Sequence, residues 1–428
     1  MTNGNEAPRI NAERNANIEK AILIFIAISA LYGLSSGLSD SVLGNYFKEA
    51  YNVDSIQRGF IEFPRELPGI LSIATLAAIA PLGALMSTRI TLLLYAGGIL
   101  TLAFIRPGFA AMVAILFVYS LGMHMFMPLN DGIGISLAVK GNTGRLLGRF
   151  KSVTTAFSMV ASIIVLFGFR SGIFNFETPV VVFIISAAAI IAAMALFGQM
   201  KSHFAGDGAN GVVSEKTNFL QALKRNMVVR KEYARYYVIC ALFGGRKQIM
   251  FVFSPWVLID LLGFKAEDMA PLAIIGAFIG IFFMPFVGRM IDRYGTKRVM
   301  IAEALSFIFI YVAYGLLSRW VNLQPHAVIL TGLGMLLVYL LNIVDRMSAQ
   351  FAMVRTIYIQ SIAVRREDVT PSLTVGMAID HVVSIVGSLI CGHVWFVWGP
   401  EYVFVIAGAL SLLNLLVASG IRVAPKTT

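Results

Sequence analysis

The residues able to do chemistry in this chain stand out because their surroundings are so apolar. Arg246, Lys247 and Gln248 interrupt an apolar run over 235–262, about eleven residues in from its ends. A run that crosses a bilayer needs about 20 residues, so the triplet falls near mid-depth. Charge is most expensive there, and it marks a solute or ion pathway or a paired partner. Two adjacent cations suit an organic anion as substrate. Gln248, Asn130 and Asn342, the asparagines from other apolar runs, can supply hydrogen bonds. Consecutive helical residues point about 100° apart, so one cation can face a cavity while the other turns toward a neighbouring helix. The alternative is that acids such as Asp40 or Glu66 neutralise both, leaving a structural pair without a ligand.

Acids inside apolar runs offer a route for protons. One group comprises Asn130, Asp131, Asn342, Asp345, Arg346, Asp380 and His381. Histidine is the side chain whose ordinary titration lies near neutral pH. A proton relay through Asp345, Asp380 and His381 is one reading, with Asp131 a further candidate; a static gate network is the other. A second group holds Asp40, Glu62, Arg65 and Glu66. Glu62 and Arg65 are one helical turn apart and can pair, and Pro64 and Pro68 suggest an irregular helix start. An ion-pair cluster and a proton site stay open as alternatives here. Met123, His124, Met125 and Met127 combine soft donors that a metal such as copper accepts. Methionine is also ordinary core material, and this chain has 19; a soft-metal transporter is therefore the lesser alternative, and no metal site is expected. The sequence carries no nucleotide-binding loop, no nucleophile with a base at usable spacing and no metallohydrolase pattern, so neither an enzyme nor a cofactor is expected.

Between the apolar runs 269–287 and 299–317 lies Gly288-Arg-Met-Ile-Asp292-Arg293-Tyr-Gly295-Thr-Lys297-Arg298. Gly288 and Gly295 allow a close turn, and a cation-rich loop between spans reads as a cytoplasmic hairpin. The spacing G-x-x-x-D-R-x-G-x-K-R resembles the loop signature of the major facilitator superfamily at every defining position. The resemblance implies alternating access about a site near the bilayer midplane, between two bundles. It also gives Asp292 a conformational role, through pairing with cations or a helix N-terminus. Arg145 and Arg149, in Arg-Leu-Leu-Gly-Arg, are expected to serve interdomain closure. The first-half copy, Gly83-Ala-Leu-Met-Ser-Thr-Arg89, keeps a glycine and a cation but has Ser87 where the acid belongs.

The elements that must position these residues are long helices. The 428 residues are 58% hydrophobic and 13% charged, with mean hydropathy +0.79, more apolar than a soluble domain requires. Spans are predicted at 20–43, 59–86, 90–106, 109–139, 149–170, 178–199, 235–262, 269–290, 297–318, 326–354, 371–397 and 400–421. The expected fold is all-α and integral to the membrane, with twelve transmembrane helices in two pseudo-symmetric six-helix bundles. The expected division is a cytoplasmic tail 1–19, an N-terminal bundle 20–199, a central cytoplasmic loop 200–234, a C-terminal bundle 235–421 and a tail 422–428. With the N-terminus inside, 24 of the 34 Lys and Arg fall in cytoplasmic segments, six in outer ones and four within spans. That bias puts both termini on the cytoplasmic side of a cytoplasmic (inner) membrane. The net charge of +11 is then a topology signal, and nucleic acid is not expected as a partner. Cys240 and Cys391 both fall in spans, which excludes a disulfide framework. Trp395 and Trp398 read as interface anchors.

The halves share faint repeats: Ala30-Leu-Tyr-Gly33 matches Ala241-Leu-Phe-Gly244, and Leu121-Gly122 matches Leu333-Gly334. The function expected is a secondary active transporter, working as a monomer, for a small solute in symport or antiport with protons or a counter-substrate. A membrane sensor or scaffold on the same fold is the alternative. It would be expected to carry a large extra soluble module, for which 200–234 is short.

Overall fold

The computed structural model describes residues 6–138, 143–200, 229–323, 333–348, 351, 353–365 and 368–421. Most of the central loop, the start of the tenth expected span and the C-terminal tail therefore lie outside the described residues. The first half holds α1 (Glu6–Tyr51), α2 (Ser55–Ile79), α3 (Ala84–Phe104), α4 (Phe109–Ser136), α5 (Thr143–Arg170) and α6 (Val181–Gln199). In the second half α7 (Ala234–Gln248) runs on through π-turns Ile249–Phe253 and Val257–Leu261, joined by the helical turn Ser254–Trp256. Then come α8 (Ala266–Asn322), α9 (Leu333–Ser348), α10 (Met353–Ile362), α11 (Val369–Val397) and α12 (Pro400–Ser419). Strands are absent among the described residues.

Eight helices among the described residues are long and apolar enough to cross a membrane: α1, α3 to α6, α8, α11 and α12. At 57 residues, α8 would measure about 85 Å if straight, far beyond a hydrocarbon core of about 30 Å. Gly295 divides it, with φ 79° and ψ 162°, a left-handed backbone that glycine adopts without steric cost. Three expected spans fall outside the eight. α2 carries Arg58, Glu62, Arg65 and Glu66 in its first half, α7 is interrupted by its π-turns, and α9 follows residues outside the described set.

Two expectations need correction. Residues 6–19, expected in a tail, are helical: Pro8 falls in the first turn, where no N–H is required, and Ala7, Ala12, Glu13, Arg14 and Ala16 favour helix. The start of α2 is regular despite Pro64 and Pro68. Asp54 Oδ1 accepts from the Gln57 N–H at 2.8 Å and Gln57 Oε1 accepts from the Asp54 N–H at 3.2 Å, a reciprocal N-terminal cap.

The chain divides into two compact units, Met1–Ser41 with Leu71–Phe219, and Val42–Ile70 with Leu220–Thr428. The first differs from the expected 20–199 bundle because the α1–α2 hairpin, 42–70, counts with the second unit. The hairpin's contacts explain this: Asn45 Nδ2 donates to Phe264 O at 2.8 Å, Lys48 pairs with Asp260, and Gly59 and Gly392 cross closely.

Small and hydroxyl residues let helices approach where no hydrophobic drive exists between spans. In the first unit Ser35 bonds Ser186 at 2.8 Å, Ser39 bonds Tyr119 at 3.1 Å and Thr154 Oγ1 donates to Ser29 O at 3.2 Å. Gly33 meets the Thr154 backbone of α5, and in the second unit Gly244 meets the Asp380 backbone of α11. Both glycines of that internal repeat are thus close-crossing points, on corresponding helix pairs. Exposed Phe309, Leu316, Leu340 and Val405 give the apolar outer surface that lipid requires.

Candidate functional site

α7 carries the triplet, and its three side chains diverge as helical geometry dictates. Arg246 is 2% exposed and its Nη2 donates to Glu303 Oε1 on α8 at 2.6 Å. Its guanidinium lies over the Phe307 ring, 3.6 Å from the centroid. Arg355 on α10 approaches the same Glu303 oxygen at 3.8 Å and stacks on Phe243, 3.2 Å from its centroid. Among the described residues Arg246 Nε and Nη1 and Arg355 Nη1 have no hydrogen-bond acceptor. Two guanidinium groups thus share one carboxylate, each lying over an aromatic ring. Gln248 is buried, its Oε1 without a donor among the described residues.

Lys247 turns the other way. Its Nζ lies 3.0 Å from Glu66 Oε2 on α2 and 3.2 Å from Asp380 Oδ2 on α11. His381 Nδ1 lies 2.6 Å from the same Glu66 oxygen. A Cβ on Gly69 would overlap the His381 ring, so the glycine makes the seat in which the imidazole reaches Glu66. These four polar side chains are largely buried, at 10–17% exposure, and the hydroxyl of Ser384 ties α11 to Gly244 O at 3.0 Å.

The remaining candidates are distributed differently from the expectation. Asp345 is buried, with Arg346 and Arg246 as charged neighbours. Asn342 accepts from Arg346 Nε at 2.9 Å and reaches the Tyr314 hydroxyl at 3.5 Å. Of the group Asp40, Glu62, Arg65 and Glu66, the first belongs to the first unit and the other three to the second. Glu62 Oε1 pairs with Arg65 at 2.7 Å and with Arg58 at 2.6 Å, Glu66 joins Lys247, and Asp40 accepts from Tyr119 in the first unit at 3.3 Å. Asp131 meets Lys151 at 3.8 Å with both side chains more than half exposed, and Asn130 is partly buried. Met125 is buried and Met127 exposed, while His124 Nδ1 sits 3.1 Å from the Ser120 hydroxyl, so that cluster does not converge. Trp398 is exposed, as an interface anchor would be, but Trp395 is buried against Phe253.

In the signature loop Asp292, Arg293 and Arg298 are exposed and Gly288 and Lys297 partly buried. Among the described residues Asp292 makes no ion pair. Arg293 lies over Tyr294, and Arg145 and Arg149 are exposed near the start of α5. The first-half copy of the loop needs a register change. Gly83, with φ 80° and ψ 160°, has the backbone of Gly295, not of Gly288. The two loops therefore align on the glycine that opens the following helix, and Ala80, not Ser87, stands where Asp292 does.

Sequence reading missed Glu303, Arg355 and Arg58. Glu303 was the sole acid between 299 and 317, a readable signal overshadowed by the charged loop just before it. Arg355 and Arg58 fell at span edges and counted as loop cations, although both side chains are largely buried.

The Major Facilitator Superfamily matches residues 25–358. No curated protein matches the sequence. Among solved structures, the nucleoside transporter NupG is similar with a TM-score of 0.71 and 16% identity, over 94% of this chain and 99% of that one. A POT family transporter in complex with 5-aminolevulinic acid is similar with a TM-score of 0.71 and 11% identity, over 93% and 95%. A D-xylose-proton symporter gives 0.68 and 15%, over 96% and 99%. With its helices long enough to span a bilayer and more than half its length matched, the chain belongs to the Major Facilitator Superfamily, as a multi-pass membrane transporter and not an enzyme.

Proposed function

We propose that this transporter moves a small solute by alternating access and couples that movement to protons through the residues around Lys247. The observation that carries the reading is one ammonium held between two carboxylates, with a histidine on one of them. With His381 neutral, Glu66, Asp380 and Lys247 leave one negative charge in excess. Uncompensated charge is expensive in such apolar surroundings, and one added proton removes it. His381, with its Nδ1 on Glu66, is the imidazole placed to exchange that proton. One of the similar structures is named as a proton symporter, which agrees with this coupling. The bias of Lys and Arg toward alternate loops supports a cytoplasmic membrane with both termini inside.

Purified protein in proteoliposomes, given an imposed pH gradient and a panel of labelled small solutes, tests the proposal. Wild type should accumulate at least one solute. Asp380→Asn and Glu66→Gln should abolish that accumulation while keeping counterflow exchange. Normal accumulation by both variants would move the coupling group elsewhere, to Asp40 or Glu62.

A further inference from the structure

We infer that Arg246 and Arg355, flanking Glu303, form an anion-binding subsite for the carboxylate of a small organic acid. The inference deepens the transport reading above and rests on it. Three nitrogens of two guanidinium groups lack an acceptor among the described residues, and Arg246 is 98% removed from solvent. A purely structural arginine so buried would direct those donors at backbone carbonyls or at a second acid, because unsatisfied buried donors are destabilising. Glu303 meets both cations through one oxygen, at 2.6 and 3.8 Å, while Asp345, the other acid near Arg246, is matched by Arg346. The group therefore carries one positive charge in excess, and adding Arg346 with Asp345 leaves that excess unchanged. A ligand with one negative charge and two acceptor oxygens completes it.

The geometry suits a planar oxyanion. The Phe307 and Phe243 rings lie against the two guanidinium groups, and the guanidinium fork matches carboxylate geometry in a way that an ammonium cannot. Arg355 keeps 12% of its side chain open, which gives the ligand a side of approach that Arg246 alone would not. The expected anion pairing at Arg246 with Lys247 is thereby revised. Lys247 already has two carboxylates, and Arg355 is the second cation of the subsite.

Equilibrium binding to purified protein in lipid nanodiscs tests this without any gradient. The probes are acetate, lactate, benzoate, succinate and inorganic phosphate, with acetamide and benzamide as neutral counterparts. At least one carboxylate should bind wild type while its amide does not. Arg355→Gln should weaken that binding about tenfold or more, as loss of a charge-assisted hydrogen bond requires. Arg355→Lys should recover only part of it, and Glu303→Gln should tighten it by removing the internal competitor. If Glu303→Gln does not fold, labelling of wild-type Arg355 by phenylglyoxal decides instead, with the bound anion expected to protect it. Phosphate binding that depends on Arg355 would keep the oxyanion subsite and name phosphate as its group. Absence of any anion binding tighter than about 10 mM, equal binding of the amides, or indifference to Arg355→Gln would overturn the inference. Anion binding without flux would count against transport alone, whereas gradient-driven flux of a neutral solute without anion binding would overturn the subsite alone.

Discussion

Replacing Lys247 by methionine removes the one cation that two buried carboxylates share. At an effective dielectric constant of about 20, contacts of 3.0 and 3.2 Å each correspond to about 5 kcal/mol of attraction. Desolvation of the three side chains offsets most of that, so the pair itself adds little net stability. Deleting one partner is different, because the remaining charge stays buried and uncompensated, at about 3–5 kcal/mol. The side chains keep 14–17% of their surface, which points to the lower end, about 3 kcal/mol for Lys247→Met. Asp380→Asn should cost less, since Glu66 retains Lys247. In the double variant Glu66 still has His381 at 2.6 Å and Asp380 no longer needs a cation. Its loss should then fall short of the sum by about 1–3 kcal/mol. Equilibrium unfolding of all four proteins in mixed detergent micelles, as a double-mutant cycle, measures this. Additivity within about 0.5 kcal/mol would refute the shared-cation account.

Gly69→Ala should drive the His381 ring off Glu66, destabilising the protein by about 1–3 kcal/mol and impairing pH-driven accumulation; unfolding and flux assays read both. Gly97→Ala is the control, since nothing lies near its Cβ, and should stabilise by up to about 1 kcal/mol. Asp292→Asn should slow transport while changing stability by no more than about 0.5 kcal/mol, because Asp292 is exposed; an unchanged transport rate would remove the conformational role of that loop.

The sequence made the costly residues conspicuous but not their partners. Arg246 and Lys247 are visible as charges inside an apolar run, and Glu66 was named among their possible acids. That Lys247 takes Glu66 could not be read, because the two are 181 residues apart and a single sequence holds no contact information. Placement inside apolar runs misleads for a related reason. It puts Asp345 and Asp380 in one group, but rotation about the helix axis decides which neighbours each one meets. The loop repeat failed on backbone conformation, since Gly83 can be set against either Gly288 or Gly295 and only φ distinguishes the one that opens the next helix. Helix existence was the legible part, because an apolar run of membrane length has few other solutions.

Consecutive positions on α7 tie the two charged groups together. Arg246 faces α8 and α10, while Lys247 faces α2 and α11, so no rotation of this stretch can alter one group and leave the other untouched. The π-turn that begins at Ile249 follows immediately. Such wide turns replace the regular helical hydrogen bonds and occur often at functional sites, which makes the triplet the part of α7 best able to reorient. The charges reinforce the connection. The arginine group carries one positive charge in excess and the lysine group one negative charge with His381 neutral. With both sites empty the two excesses are opposite in sign and offset each other along one helix. Binding an anion alone leaves a net negative charge and binding a proton alone a net positive one; either half-loaded state is expensive in apolar surroundings. Anion and proton together bring each group to neutrality and add no net charge. Electrostatics on one helix then favours the fully loaded and fully empty states over the half-loaded ones, which is the condition that coupled transport requires.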